Sequence, residues 1–241
     1  MAIVQKFRCR VDKIIDFGEH VYQVHLRPER PLPRFRPGQF LHLALDSYDP
    51  SGFWPESRVF SIASTPEERE HLSIAYSVRG RFTARMEREL SEGRWVWVKL
   101  PYGDFVINGN SDIVLFAGGT GITAFTAFLT TLTPEFPHRV YLAYGARRRS
   151  LLIYRDLLQK LRALVPQLQV FYSVERREGS AEDNGEETTG CLSVEAVWPK
   201  IGTPLRAEYY LSGPPQMLKA ISQELRQWGL VAESIRIDAW E

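Results

Sequence analysis

The sequence predicts a β plus α/β chain of two domains, an antiparallel β-barrel followed by an α/β domain with a parallel sheet. Three observations indicate this class. The length of 241 residues suits two modest domains. Before about residue 105, short alternating apolar runs are separated by turns such as "RPERPLPRFRPG" and "DSYDPSGFWPES". Beyond that point, strand-like and helix-like segments alternate, so we predict domains over residues 1–105 and 106–241.

The barrel strands follow four runs with apolar alternation, "KFRCRVDKII", "HVYQVHLRPE", "GQFLHLAL" and "HLSIAYSV". In the second run, Val21, Gln23 and His25 occupy one face and the residues between them occupy the other. A short helix is predicted over "TARMERELSE", because Met86 and Leu90 are four residues apart and share a helix face.

The second domain is predicted from its alternation of segments. The strands are "SDIVLFAGG", "RVYLAYGA", "LQVFYSV", "AEYYLSG" and "SIRIDAW", and the helices are "TAFTAFLTTL", "SLLIYRDLLQKLRAL" and "PQMLKAISQELRQWG". Strands that alternate with helices indicate βαβ units and a parallel sheet. The polar, glycine-bearing stretch at residues 175–190 is predicted to be a mobile loop.

Composition excludes several classes of protein. The formal net charge is +1, so no strong basic field for nucleic acid exists. No apolar run reaches the roughly 18 residues of a membrane span, and the N-terminus lacks the features of a signal peptide, which predicts a cytoplasmic location. Cys9 and Cys191 are too few for an iron–sulfur cluster, and the five scattered histidines suggest no metal site.

Two glycine turns are the first candidates for a binding site. In "FAGGTGIT", Gly118, Gly119 and Gly121 follow an apolar strand and open a helix, where backbone N–H groups can approach an anion closely. In "YLSGPPQM", residues 212–215 repeat that arrangement. Both turns are expected at the carboxyl edge of the sheet, where open α/β sheets bind ligands. Each turn also has a purely structural explanation, a tight strand–helix connection that needs glycine or tolerates proline.

A third segment, "RVFS" at residues 58–61, precedes both turns. In this order the three segments resemble the ferredoxin–NADP reductase family of flavoprotein reductases. In that family an Arg-x-Tyr/Phe-Ser segment on the barrel holds the flavin, a Gly-Gly-x-Gly-x-Thr-Pro turn receives NAD(P)H, and a Cys-Gly-Pro-x-x-Met turn lies beside the nicotinamide. The resemblance runs from "FRPGQF" to the end of the chain. It implies a flavin-binding barrel domain and an NAD(P)H-binding α/β domain.

The resemblance also implies roles for single residues. Arg58 would pair with the flavin pyrophosphate, Phe60 would pack against the ring or the ribityl chain, and Ser61 would hydrogen-bond near N5. Gly80 and Thr83 would offer N–H groups and a hydroxyl to the pyrophosphate at a helix N-terminus. The implied cofactor-binding residues are Arg58, Val59, Phe60, Ser61, Tyr76, Val78, Gly80, Phe82, Thr83, Gly118, Gly119, Thr120, Gly121, Thr123, Arg147, Arg148, Gly213, Pro214 and Met217.

Several of these residues have structural explanations as well. Arg58 could form a surface salt bridge, Phe60 could be a core residue, Ser61 could bond to backbone, and Thr83 could be an N-cap. The implied catalytic residues are Ser61, Ser212 and Trp240. Trp240 would cover the flavin face that the nicotinamide must reach, or would pack between the two domains.

Three positions depart from the family pattern. Ala124 follows Thr123 where the family has Pro, Ser212 stands where the family has Cys, and Phe60 replaces a Tyr. The first change should alter the rigidity of the turn more than its chemistry. The second puts the rate of hydride transfer in doubt, and the third removes one hydrogen bond to the cofactor.

The implied activity is that of an oxidoreductase. Hydride would pass from NAD(P)H to a bound flavin, FAD or alternatively FMN, and electrons would pass on to a separate acceptor. That acceptor would be ferredoxin, another redox protein, a ferric complex, free flavin or dioxygen. The alternative is a non-enzymatic flavin-binding electron relay or regulatory subunit, which the changes at Ser212 and Ala124 keep open.

The residues 147–150, "RRRS", bear on the choice of nucleotide. In the family this edge meets the adenosine ribose, and guanidinium groups there would favour the 2′-phosphate of NADPH over NADH. The nearest acid along the chain, Asp156, lies well inside the predicted helix. Cations just before a helix oppose its dipole, which suggests that a ligand requires them. The alternative is that Arg147, Arg148 and Arg149 are solvated charges.

Overall fold

A computed structural model of the protein describes residues 3–176 and 187–238. The chain divides into two compact units. The first, here called the barrel unit, comprises Met1–Val106 and Thr126–Thr131. The second, the parallel-sheet unit, comprises Ile107–Phe125 and Leu132–Glu241. Within the described ranges, no helix is both long enough and apolar enough to cross a membrane.

The barrel unit is built on an antiparallel sheet whose two edges approach each other. Its six described strands are β1 (Gln5–Asp16), β2 (Val21–Pro28), β3 (Phe40–Ala44), β4 (Ser57–Ser61), β5 (Leu72–Ser77) and β6 (Trp95–Tyr102). The order is β4-β3-β6-β1-β2-β5. Just beyond the edge strand β4, the Ala63 N–H donates a 2.9 Å hydrogen bond to the Ser73 carbonyl in β5. The sheet is therefore a nearly closed barrel, as predicted.

Strand β6 is central to the barrel but was not predicted. Its inward residues Val96, Val98 and Leu100 are fully buried in the core. Its outward residues include Trp95 and Trp97, so the sequence "WVWVKL" reads as continuously apolar rather than alternating. Large aromatic residues on the outer face therefore concealed the period of two that marks a half-buried strand.

Helix α1 (Arg81–Glu89) begins two residues earlier than predicted. Phe82 and Met86 are its buried residues, and Leu90, which ends it, packs against the barrel core. Met86 and Leu90 thus share a face, as their spacing predicts. The N-cap position is Gly80, which leaves the start of the helix without a side-chain cap.

The parallel-sheet unit also has six described strands. They are β7 (Ile113–Gly118), β8 (Val140–Ala146), β9 (Leu168–Val174), β10 (Glu187–Thr189), β11 (Glu208–Ser212) and β12 (Ile235–Asp238), in the order β10-β9-β8-β7-β11-β12. All neighbouring strands are parallel. The chain runs outward from β7 through β8 to β10 and then returns to β11 on the other side of β7. The carboxyl ends of β7 and β11 consequently flank the crevice where such sheets bind ligands.

The helices of this unit differ in detail from the prediction. They are α2 (Thr123–Leu129), α3 (Arg155–Leu164), α4 (Val194–Val197) and α5 (Pro215–Gln227). Part of α2 is assigned to the barrel unit. The helix predicted from Ser150 begins at Arg155, because a separate 3-10 turn occupies residues 149–151. The prediction of a loop over residues 175–190 was wrong at its end, where β10 pairs with β9. Residues 177–186 lie outside the described part.

Candidate functional site

Strand β4 carries the segment "RVFS" and presents Arg58 to solvent. The Arg58 guanidinium carbon lies 5.4 Å from the ring centroid of Phe82, in the first turn of α1. Its ion pair with Glu56 is long at 3.7 Å, and both side chains are exposed. Exposed ion pairs of this kind contribute little to the free energy of folding, so the pair with Glu56 does not explain why an arginine stands at this position. The cation is therefore placed beside the start of α1.

The start of α1 is open to an anion. Gly80 at the N-cap position offers no side chain to cap the helix, and a Cβ built on it would meet no atom within 4 Å. The Thr83 hydroxyl accepts the N–H groups of Arg79 at 2.9 Å and Gly80 at 3.1 Å, so both predicted ligands are engaged locally. Thr83 is also the third residue of the helix, not its N-cap. The remaining N–H groups of the first turn and the positive helix end would meet an anion there, next to Arg58.

The aromatic residues near β4 are divided between the core and the surface. Phe60 is partly buried, and its ring centroid lies 6.2 Å from that of Tyr76 in an edge-on contact. Tyr76 stacks on Tyr22 at 5.3 Å, and both Tyr76 and Phe82 are buried in the barrel core. Cofactor contacts at these two positions would have to use backbone atoms. The predicted residues here with partly exposed side chains are Val59, Phe60, Ser61 and Val78.

The two glycine turns of the parallel-sheet unit pack directly against each other. They follow adjacent strands, since Ser212 of β11 pairs with Ala117 of β7. A Cβ on Gly118 would approach the Met217 sulfur to 2.5 Å, and one on Gly121 would come within 2.7 Å of the Gly213 nitrogen. Glycine is thus required where the turns meet, which agrees with the structural explanation for Gly118 and Gly121.

Gly119 differs from its neighbours in the same turn. Its φ is +54°, and a Cβ there would meet nothing within 4 Å. Glycine suits this left-handed conformation, and the open space lets a ligand approach the backbone. A 3-10 turn over Gly119–Ile122 separates β7 from α2, so the glycines do not open the α-helix directly. The Thr123 hydroxyl donates a 2.7 Å hydrogen bond to the Thr120 carbonyl, which fixes the turn.

A buried carboxyl lies beside the second turn. Ser212 and Asp238 end the paired strands β11 and β12, and the Ser212 hydroxyl donates to Asp238 Oδ2 at 3.0 Å. Asp238 is only 5% exposed, and burial raises its pKa to about 7 against the opposing effect of the Ser212 hydrogen bond. Among the described residues, its Oδ1 atom has no hydrogen-bond partner.

Sequence reasoning missed Asp238. The available signal was an acid at the end of the short strand "IRID", at the sheet edge already predicted to bind ligands. Trp240, the predicted stacking residue, lies outside the described residues. Pro214 is the N-cap of α5, and Met217 in the first turn of that helix is partly buried.

The arginines after β8 have different surroundings. Arg149 forms a 3.2 Å ion pair with Glu187 of β10, which also pairs with Arg155 at 2.8 Å. Among the described residues, Glu187 is thus an acid that meets this segment, and Asp156 lies in the first turn of α3, not well inside the helix as predicted. The arginines do not directly oppose the dipole of α3 as predicted, because α3 begins at Arg155 and the arginines precede a separate 3-10 turn. Arg147 and Arg148 remain at the carboxyl end of β8, as predicted from the sequence.

The described ranges hold no group of three His, Cys, Asp or Glu side chains that could bind a metal ion. Cys9 is buried in the barrel core, and burial raises the pKa of its thiol well above the usual range. The chemistry of the barrel unit therefore depends on Arg58 and the start of α1, and that of the parallel-sheet unit depends on the glycine turns and the Ser212–Asp238 pair. The cation, the helix ends and the glycine turns can bind phosphate groups, and the Asp238 carboxyl can carry one titratable proton.

Comparison with known proteins finds similarity to oxidoreductases. Residues 115–223 match the family model of the oxidoreductase NAD-binding domain. The chain is 30% identical over 248 residues to the reductase component of propane 2-monooxygenase from Rhodococcus jostii, which covers 98% of this chain and 64% of that protein. It is 25% identical over 228 residues to a flavohemoprotein of Bacillus subtilis, covering 92% of this chain and 56% of the relative.

A solved structure shares the fold over almost its whole length. It is the FAD/NAD-binding domain of a nitric oxide dioxygenase from Vibrio cholerae, which superposes with a TM-score of 0.80 at 18% identity. The match covers 96% of this chain and 97% of that domain. The curated relatives are longer, and this chain spans little more than half of the flavohemoprotein and about two thirds of the monooxygenase reductase.

Proposed function

We propose that this chain is an NAD(P)H-dependent flavin oxidoreductase of the ferredoxin–NADP reductase family, which passes electrons to a separate redox protein. The observation that carries the proposal is the pair of glycine turns at the carboxyl ends of β7 and β11. They lie within the residues that match the oxidoreductase NAD-binding domain, and Gly119 in the first turn is open to a ligand.

The flavin is assigned to the barrel unit. Arg58 and the uncapped N-terminus of α1 supply a guanidinium and several N–H groups within one small region, which suits a pyrophosphate. FAD carries such a group and FMN does not, so FAD is the proposed cofactor. Phe60 and Val59 offer apolar surface beside it, and the Ser61 hydroxyl is available for a hydrogen bond to the ring. The bound flavin supplies the conversion between two-electron and one-electron transfer.

NAD(P)H is assigned to the parallel-sheet unit. The backbone at Gly119 is open to a nucleotide, whereas Gly213 packs against Met217 and the backbone of Gly118. Asp238 accepts a hydrogen bond from the Ser212 hydroxyl and thereby orients that hydroxyl. Since the pKa of Asp238 is about 7, this carboxyl can hold or release one proton near neutral pH. Arg147 and Arg148, at the end of β8, would favour the 2′-phosphate of NADPH.

Colour provides the direct test. Purified protein should be yellow, release FAD on denaturation, and bleach anaerobically when NADPH or NADH is added. Yellow protein that does not bleach would favour an electron relay without nucleotide chemistry, which the serine at position 212 keeps open. Colourless protein that cannot be reconstituted with FAD or FMN would overturn the proposal.

The acceptor is proposed to be a protein. The Rhodococcus jostii relative is named as the reductase component of a monooxygenase. If this chain has a role of the same kind, it should reduce a partner protein at a higher rate than it reduces dioxygen. The rate of NAD(P)H oxidation with and without added redox proteins would measure that difference.

A further inference from the structure

A pocket at the edge of the parallel sheet takes no part in either cofactor assignment. Its volume is about 210 Å³, and it is lined by strands β9 and β10, by α4 and by the last turn of α3. Strand β10 pairs with β9 only from Tyr172 onward, so in the described part of the chain Val170 and Phe171 have no strand partner on that side. The pocket lies beside this gap, and we call it the edge pocket.

The floor of the edge pocket is apolar. Val170 and Val197 are buried, with 6% and 1% of their surfaces exposed, and the half-buried side chains of Phe171 and Leu192 extend the floor. An engineered apolar cavity of about 150 Å³ can hold benzene, so the edge pocket has room for an aromatic ring and a small polar group. A ring placed beside Phe171 would gain an aromatic contact in addition to the burial of its apolar surface.

The rim of the edge pocket carries two cations. The ammonium of the exposed Lys200 lies 4.7 Å from the ring centroid of Phe171. Among the residues that the structure describes, Lys200 has no acid as an ion-pair partner. The half-buried Arg162, in the last turn of α3, also lines the pocket. An ammonium and a guanidinium at one rim suit a carboxylate, because both donate charge-assisted hydrogen bonds to its oxygens.

Helix α4 forms a preformed wall of the edge pocket. Ser193, Ala196, Val197 and Lys200 all line it, and their spacing of three and four residues places them on one helix face. The Glu224 carboxylate of α5 accepts two N–H groups from the first turn of α4, at 3.0 and 3.1 Å. The start of α4 is therefore held by α5, and the position of this wall does not depend on a ligand.

Two hydroxyls in the wall are directed away from a ligand. The Ser173 hydroxyl donates to the Gly190 carbonyl at 2.7 Å, and the Thr188 hydroxyl donates to the Tyr172 carbonyl at 3.2 Å. Each proton is thus committed to the backbone, so these two hydroxyls can accept a hydrogen bond but cannot donate one. A carboxylate needs donors, and it would find them at the cationic rim.

The edge pocket approaches the sheet near the first glycine turn without including that turn. A Cβ built on Gly145 would come within 3.2 Å of the Leu192 Cβ, and Gly145 is the register partner of Gly118. Leu192 is thus the part of the pocket wall that packs on β8. The residues that line the pocket are distinct from those assigned to the nucleotide, so the two ligands could be bound at the same time.

We propose that the edge pocket is a binding site for a small aromatic carboxylate, whose ring lies against Val170, Phe171 and Leu192 and whose carboxylate binds Lys200 and Arg162. The inference does not rest on the proposed reductase function, because the pocket residues belong to neither cofactor assignment.

Calorimetric titration of the flavin-loaded protein with phenylacetate, at low ionic strength and without nucleotide, tests the proposal. Wild type should bind phenylacetate at least about tenfold more tightly than acetate, which lacks the ring, and than benzyl alcohol, which lacks the charge. Lys200→Gln should weaken phenylacetate binding by about tenfold, because it removes a charge-assisted hydrogen bond. Ala196→Trp should abolish binding, because the indole would fill the pocket.

Matched control variants lie on α5. Lys219→Gln and Ala220→Trp change an exposed lysine and an exposed alanine outside the pocket, and both should bind phenylacetate as wild type does. Saturating NADP⁺ should also leave the affinity for phenylacetate unchanged. If NADP⁺ displaces phenylacetate, the pocket is part of the nucleotide site and the proposal of a separate site is overturned.

The remaining outcomes are equally decisive. The proposal is overturned if phenylacetate does not bind wild type, or if it binds Lys200→Gln and Ala196→Trp as tightly as wild type. Equal affinity for acetate or for benzyl alcohol contradicts the chemical class of the ligand. Should Ala196→Trp not fold, as judged by circular dichroism, Lys200→Gln with its Lys219→Gln control decides the outcome. Flavin that NAD(P)H does not bleach would refute the proposed function, whereas the titration would still judge the edge pocket.

Discussion

The Ser212 hydroxyl donates a 3.0 Å hydrogen bond to Asp238 Oδ2, and both residues are buried at the ends of adjacent parallel strands. The two residues are 26 positions apart in the chain, and α5 lies between them. Strand pairing alone brings them together. This pair places a titratable proton directly beside the Gly213 turn to which NAD(P)H is assigned.

The raised pKa of Asp238 should make stability depend on pH. In the unfolded chain this carboxyl has a pKa of about 3.9, whereas in the folded protein it is about 7. Between these values the folded state binds a proton that the unfolded state lacks. The free energy of unfolding should therefore fall as pH rises from about 4 to about 7, by at most about 1.4 kcal/mol per pH unit, and then level off.

The variant Asp238→Asn should remove that dependence, because its amide cannot ionise and can still accept the Ser212 hydrogen bond. Urea unfolding at pH 5, 6, 7 and 8 would measure the free energy of unfolding of the variant and of wild type. The variant should gain stability relative to wild type as the pH rises to 7. The exposed Asp156→Asn serves as control, and its difference should stay constant over this range. A constant difference for Asp238→Asn would contradict the assignment.

Gly121→Ala should disturb the contact between the two glycine turns. Its Cβ would come within 2.7 Å of the Gly213 nitrogen, and backbone atoms cannot give way without moving the turn. We expect a loss of stability of about 1–3 kcal/mol, together with weaker NAD(P)H binding. In Gly52→Ala the new Cβ would lie 3.5 Å from its nearest neighbour, so stability should change by less than about 0.5 kcal/mol. Equal unfolding midpoints for the two variants would refute the packing argument.

Arg58→Ala should weaken retention of the flavin. A charge-assisted hydrogen bond is worth about 1.5–3 kcal/mol, or roughly tenfold to a hundredfold in affinity. The measurement is flavin per chain after gel filtration, and the released cofactor also distinguishes FAD from FMN. Arg88→Ala, in the last turn of α1, provides a control that should keep its flavin. Full occupancy and unchanged affinity in Arg58→Ala would rule out the anchoring role.

Arg147→Ala and Arg148→Ala should reduce kcat/KM for NADPH by about tenfold or more and leave NADH nearly unaffected, because only NADPH carries the 2′-phosphate. Arg149→Ala is the matched control, since its guanidinium is paired with Glu187. Arg149→Ala should change kcat/KM equally for NADPH and NADH, and it should lower the stability of the protein. If wild type prefers NADH and neither Arg147→Ala nor Arg148→Ala selectively impairs NADPH, the nucleotide assignment is wrong while the reductase function stands.

The sequence predicted the elements whose pattern is local. The helices α1 and α5 were predicted to within a few residues, as were most strands, whereas the amphipathic helix α3 was predicted to begin five residues too early. Strand β6 was missed because Trp95 and Trp97 hide its alternation, and β10 was missed because three polar residues carry no apolar pattern. Both strands are specified by the neighbours with which they pair, and pairing partners are distant in the chain.

By itself, the sequence determined the order of a barrel and a parallel sheet, the glycine turns at the sheet edge, and the resemblance to a family of flavoprotein reductases. These properties depend on periodicity and on short motifs, which are written within a few consecutive residues. Only the tertiary structure decided that Asp238 meets Ser212, that Glu187 pairs with Arg149, and that Lys200 lies over the ring of Phe171. Burial, pKa and charge pairing are set by strand register and by packing between distant segments, and single-sequence patterns do not encode them locally.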